Sequence, residues 1–128
     1  MGEVNLDQLC AKYGWQIAED VCNAIGKQAE NHITKSLGVL QEDGVYAFFL
    51  YQASRGQREK PGAERLSERA KEFLKETGIE AFKDVTDSLL AVRDRLTEDL
   101  DQLLLAKRLL EQALIYARYH AKALGGPS

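Results

Sequence analysis

Residues 45–51 read Val-Tyr-Ala-Phe-Phe-Leu-Tyr, apolar or aromatic at every position. Such a run needs cover from the rest of the chain, since burial contributes about 25 cal/mol for each Å² of apolar surface. A chain of 128 residues has room for one core, so the other segments are expected to pack around this one. By propensity the run suits a buried strand. No other segment offers a strand to pair with it, however, and a lone strand leaves its backbone groups unsatisfied. The run is therefore read as a helix from Val45 to about Arg55, entered through the polar break Gln41-Glu42-Asp43-Gly44 and ended by Gly56.

Helical periodicity accounts for the remaining segments. Asn5 has N-cap chemistry, with Gln8 three residues on. Leu6, Leu9, Cys10, Tyr13, Ile17, Val21 and Ala24 then form one stripe. The opposite face carries Ala11, Trp15, Ala18 and Cys22, so this first helix is either central or covered by a partner on that side. A second helix is expected over about 31–42 and a fourth over about 63–76, with residues 56–62, Gly-Gln-Arg-Glu-Lys-Pro-Gly, as the loop before it. A fifth is expected over 79–96. The last begins at a Thr97 cap and runs to about Leu124, with Leu103, Ala106, Leu110, Ala113, Leu114, Ala117, Ala121 and Leu124 inward. The expected fold is all-α, a compact single-domain bundle of about five to six helices over residues 1–124, followed by a disordered tail at 125–128.

The chemistry-bearing residues are sparse. His32 and His120 have no partner at metal-ligand spacing, Cys10 and Cys22 lack Cys-x-x-Cys spacing, and no glycine-rich phosphate loop is present. The carboxylate clusters at Asp84–Asp87 and Glu98–Asp101 read as solvated faces or helix starts. These patterns predict a non-enzyme without metal or cofactor. Cys10 and Cys22 lie twelve positions apart on one helix, roughly 18 Å by helical rise and too far for a disulfide. Two unpaired thiols suit a reducing cytosol. No apolar run reaches the ~18–20 residues that span a bilayer, and no signal peptide is recognised, so a cytoplasmic protein without a membrane partner is expected.

Net charge is −3, whereas a free-standing nucleic-acid binder is commonly basic. The charge is unevenly spread: residues 1–54 and 76–101 are acidic on balance, 55–75 and 102–128 basic. Two basic features stand out. One is the loop with Arg55, Arg58 and Lys60, leading into Arg65 and Arg69. The other is one side of the last helix, where Lys107, Arg108, Arg118 and Lys122 surround Glu111 and border Tyr119. Cations beside an aromatic suit a nucleic-acid backbone and a stacked base, and Lys107 to Lys122 spans about 22 Å by helical rise. The same pattern also describes an ordinary solvated helix face.

Three segments together resemble the small subunit of the type III-B CRISPR RNA-silencing (Cmr) effector complex. They are Leu6-Asp7-Gln8-x-x-Ala11, then Leu37-x-x-Leu40-x-x-x-Gly44-x-x-x-Phe48-Phe49-Leu50, and finally Ala106-x-x-x-x-Glu111-x-Ala113-x-x-Tyr116-x-Arg118-Tyr119-x-Ala121-x-Ala123. The resemblance implies a non-catalytic helical bundle, stacked in several copies along the groove where target RNA pairs with guide RNA. Its partners would be other effector subunits, the guide–target duplex and further copies of itself. Arg118 and Lys122 match the family's basic positions, and Arg55, Arg58 and Lys60 match a basic loop after the apolar helix. Ala11, Trp15, Ala18 and Cys22 are the candidate subunit interface. Glu42-Asp43 before Gly44 departs from the family's pattern. The competing expectation is a helical adaptor or oligomerising scaffold with no nucleic-acid role, in which the four cations of the last helix are paired with acids.

Overall fold

The computed structural model describes residues 5–79 and 99–125. Every regular element among them is helical. The first helix, α1, spans Leu6–Ile25. Its start is fixed by Asn5, whose side-chain oxygen accepts the Gln8 backbone N–H at 3.0 Å. A 3₁₀ turn at Gly26–Gln28 leads into α2, Ala29–Asp43, so the second helix begins a little ahead of the expected Asn31. Gly44, at φ +96°, then turns the chain directly into α3, Val45–Ala53. A side chain is strained at that φ, which is why glycine stands at the join.

The apolar run is thus a helix. Val45, Phe48 and Phe49 are buried, while Tyr46 and Leu50, four residues apart, remain partly exposed. The fourth helix, α4, spans Lys60–Glu76, three residues longer at its start than expected. Pro61 sits in its first turn, where a missing N–H costs nothing, and Gly62 packs on Ile25. The last described helix, α5, spans Leu100–Gly125. Asp99 accepts the Gln102 backbone N–H at 3.2 Å and so caps it. Beyond its first residue, the buried Ile79, the expected helix over 79–96 lies outside the described residues, as do the Thr97 cap and all but the first residue of the expected tail.

One apolar cluster draws on all five described helices. α1 runs against α5 on one side and α4 on the other, and α2 packs on α5 and α3. The two apolar faces of α1 are explained by this placement. Cys10, Tyr13, Ile17 and Val21 are buried, and so are Gly14 and Ala18. Tyr13 meets Phe73 of α4 edge-on, ring centroids 5.4 Å apart. Within α5 the inward stripe is Ala106, Leu110, Ala113, Leu114, Ala117 and Ala121. Leu103 is only half-buried, and Leu124, expected inside, is 46% exposed, three residues beyond Ala121, the last buried residue of the stripe. No helix among the described residues is long and apolar enough to cross a membrane.

Candidate nucleic-acid interface

α5 displays its cations away from the core stripe. Arg108 and Lys122 are exposed, Lys107 and Arg118 half-buried, and Tyr119 is 61% exposed. The Arg118 guanidinium lies 5.6 Å from the centre of the Tyr119 ring, within cation–π range. Among the described residues no ion pair engages Lys107, Arg108, Arg118 or Lys122. Glu111 lies half-buried between them on the wheel. The helix therefore carries a side with four positive charges that no acid among the described residues pairs.

The other basic run is divided by the fold. Arg55 is tied inward: its Nε donates to the Tyr51 carbonyl at 3.0 Å, and its guanidinium lies 3.8 Å over the Tyr51 ring. Its Nη1 faces Glu59 at 3.6 Å. Arg69 bridges Asp20 of α1 and Glu72 of its own helix, and the hydrogen bond it donates to Asp20 holds its pKa above the ordinary value. Both arginines hold the bundle together. Arg58, on the turn between α3 and α4, and Lys60, the first residue of α4, stay exposed, on elements separate from α5.

The four residues expected at a subunit interface also separate. Ala18 is completely buried in this chain's own core, and Ala11 and Cys22 are half-buried. Trp15 is 45% exposed and meets the His120 ring of α5 edge-on, centroids 5.0 Å apart at 84°. α5 thus supplies most of the cover on that face, and Trp15 is what remains open to solvent.

Periodicity did not signal the buried polar cluster between α2 and α3. His32, Ser36 and Gln52 are all buried. The Gln52 amide donates to Ser36 Oγ at 2.9 Å, and its oxygen lies 2.8 Å from His32 Nε2. The other ring nitrogen faces Glu59 at 3.5 Å, and the ring stacks on Tyr51, centroids 6.0 Å apart. One sequence signal was available: His32 and Ser36 are four apart on one helical face. With His32 sealed from solvent, the cluster joins α2, α3 and the Glu59 turn and offers no access to a substrate.

Both cysteines are free. Burial, with help from Asp7, pushes the Cys10 thiol up to about 11, and burial alone raises that of Cys22, so each is a neutral thiol at pH 7. No group of three or more histidines, cysteines or carboxylates with metal-binding geometry occurs among the described residues. No family model matches the chain, and neither a curated protein nor a solved structure matches it.

Proposed function

We propose that this protein is a non-catalytic small subunit of a CRISPR RNA-guided ribonucleoprotein of type III-B. It would act in the cytoplasm in antiviral defence, stacking in several copies along the guide–target RNA groove and touching RNA backbone and neighbouring subunits. The three sequence segments that resemble that family motivate the reading, and the all-helical bundle agrees with it. The observation that carries it is the state of the cations on α5. Lys107, Arg108, Arg118 and Lys122 share one side of the helix and none is ion-paired among the described residues. Elsewhere Lys12, Arg55 and Arg69 all face acids. Unpaired cations in a row suit a phosphate backbone, whose bound counterions they displace.

The adaptor reading draws its support from α3, where Tyr46 and Leu50 are 38% and 43% exposed side by side, a small apolar surface suited to another protein. The deciding experiment is purification of the tagged protein from its native cell, followed by sequencing of bound RNA. Small RNAs sharing a repeat-derived end, together with several subunits in fixed ratio, are expected. A nucleic-acid-free complex with one protein partner would favour the adaptor.

A further inference from the structure

Among the described α-helices, α3 alone carries no charged side chain. Its buried half is Val45, Phe48, Phe49 and Gln52. Its outer half is Tyr46, Ala47, Leu50, Tyr51 and Ala53, and Tyr46 and Leu50 keep 38% and 43% of their surface in water. A surface helix ordinarily sets charged or polar residues on its outer half. An uncharged, apolar outer half is a contact face.

Charge is confined to the two ends of this helix, and its sign differs between them. At the start stand Glu42 and Asp43, the exposed last residues of α2. They line an open hollow together with Lys35 and with Tyr51 of α3, so the acids border the outer half of α3. Past the other end, Arg58 on the turn and Lys60 at the start of α4 are exposed. Arg55, the first cation of that stretch, lies over the Tyr51 ring and faces Glu59. Among the described residues, Glu42, Asp43, Arg58 and Lys60 make no ion pair.

A strip that is acidic at one end, apolar in the middle and basic at the other is its own complement. Two copies laid in the same direction set acid against acid and base against base. Turned about a two-fold axis, they set Glu42 and Asp43 of each copy toward Arg58 and Lys60 of the other, with Tyr46 across from Leu50. An unrelated partner would need the same apolar stripe and the same charges in reverse order, and a second copy already has both.

We infer that the outer half of α3 is a self-association face, on which two copies of this chain pair antiparallel about a two-fold axis. The strip is short against the roughly 800 Å² that each partner gives to a standard interface, so the pair forms reversibly and with rising concentration. The inference does not rest on the RNA reading. A two-fold pair is closed, so a longer row of copies along RNA would use a different surface, and no residue of the pair belongs to α5.

The test is sedimentation velocity of the full chain at low salt, from micromolar to near-millimolar concentration. The expected result is passage from monomer to dimer and no further. Leu50→Glu puts an unpaired charge into the strip and should weaken pairing at least tenfold. Asp43→Lys and Lys60→Glu should each weaken it about tenfold, since an exposed ion pair is worth up to about fivefold and a two-fold axis makes it twice. Both reversals suit the helix ends on which they stand, so the helical circular dichroism should hold. The double variant Asp43→Lys with Lys60→Glu should regain most of the loss. A chain that stays monomeric throughout would overturn the self-contact and leave the strip to a different protein. Dimers indifferent to Leu50→Glu would overturn it as well, by placing the contact elsewhere. Single losses without recovery in the double variant would overturn the antiparallel arrangement. Recovery of guide RNA from the native cell decides the RNA reading separately.

Discussion

Gly14 has room for a hydrogen and little more. A Cβ placed there would lie 2.5 Å from Tyr116 Cβ and 3.0 Å from the Ala113 carbonyl oxygen. The second neighbour is helix backbone and cannot swing aside. Gly14→Ala should push α1 and α5 apart and cost about 1–3 kcal/mol, read as a lower urea midpoint. Gly38, inside α2 with nothing within 4 Å of its Cβ position, gives the opposite expectation: Gly38→Ala should stabilise by about 0.5–1 kcal/mol. Two buried acids supply a pH prediction at the same scale. Burial holds Cys10 up to about 11 from its ordinary 9.0. Burial, then Glu76 and Glu72, hold Tyr13 up to about 12 from 10.0. Each pKa is raised in the fold, so the neutral form is the one the fold favours. The stability linked to these groups is complete below pH 9 and falls as pH climbs toward 12. Urea midpoints taken across that range should decline. They should hold steadier in Cys10→Ala once the loss at neutral pH is subtracted.

Between elements, the join of α2 to α3 combines a glycine turn with a polar bolt. Gln52 reaches both His32 and Ser36 inside an otherwise apolar interface. Gln52→Ala removes both contacts at once and leaves two buried polar groups unpaired, a loss of about 1–3 kcal/mol. Gln52→Glu keeps the shape but places a charge there, and should be at least as costly. Equal urea midpoints for Gln52→Ala and the unaltered chain would mean that water takes over the role of the amide. The sequence announced α3 but not this bolt. An unbroken apolar run dictates burial, and the lack of partner strands dictates helix. Which polar side chains then meet depends on how two helices cross, and spacing along one helix does not encode that. The start of α4 was misread for a local reason. Lys60-Pro61-Gly62 has the composition of a loop, yet proline is at home in a first helical turn, and Gly62 is there because Ile25 leaves space for nothing larger. The second apolar face of α1 was legible as a face needing cover, but its cover, the last helix of the same chain, was not. The candidate site shows the same division. The basic side of α5 could be drawn on a wheel, whereas the withdrawal of Arg55 and Arg69 into ion pairs could not.

For the molecule as a whole, a net charge of −3 means that its overall field repels nucleic acid. Contact with RNA must therefore come from local geometry and fade quickly with salt, since the Debye length is about 10 Å at 0.1 M. Four cations along α5, unpaired among the described residues, set the scale. If all four meet phosphates of a single strand, the logarithm of the binding constant should fall against the logarithm of salt concentration with a slope of about −3. Arg118→Glu removes one contact and adds a repulsion, so it should flatten that slope and weaken binding at low salt. The helical circular dichroism should be unchanged, because Arg118 makes no ion pair that the described fold relies on. Arg55→Ala should do the reverse. It strips the cover from Tyr51 and the counter-charge from Glu59, so the urea midpoint should drop while the salt slope stays in place. A slope that flattened in Arg55→Ala and held in Arg118→Glu would move the RNA contact from α5 to the entry into α4, where Arg58 on the turn and Lys60 at the helix start are exposed cations.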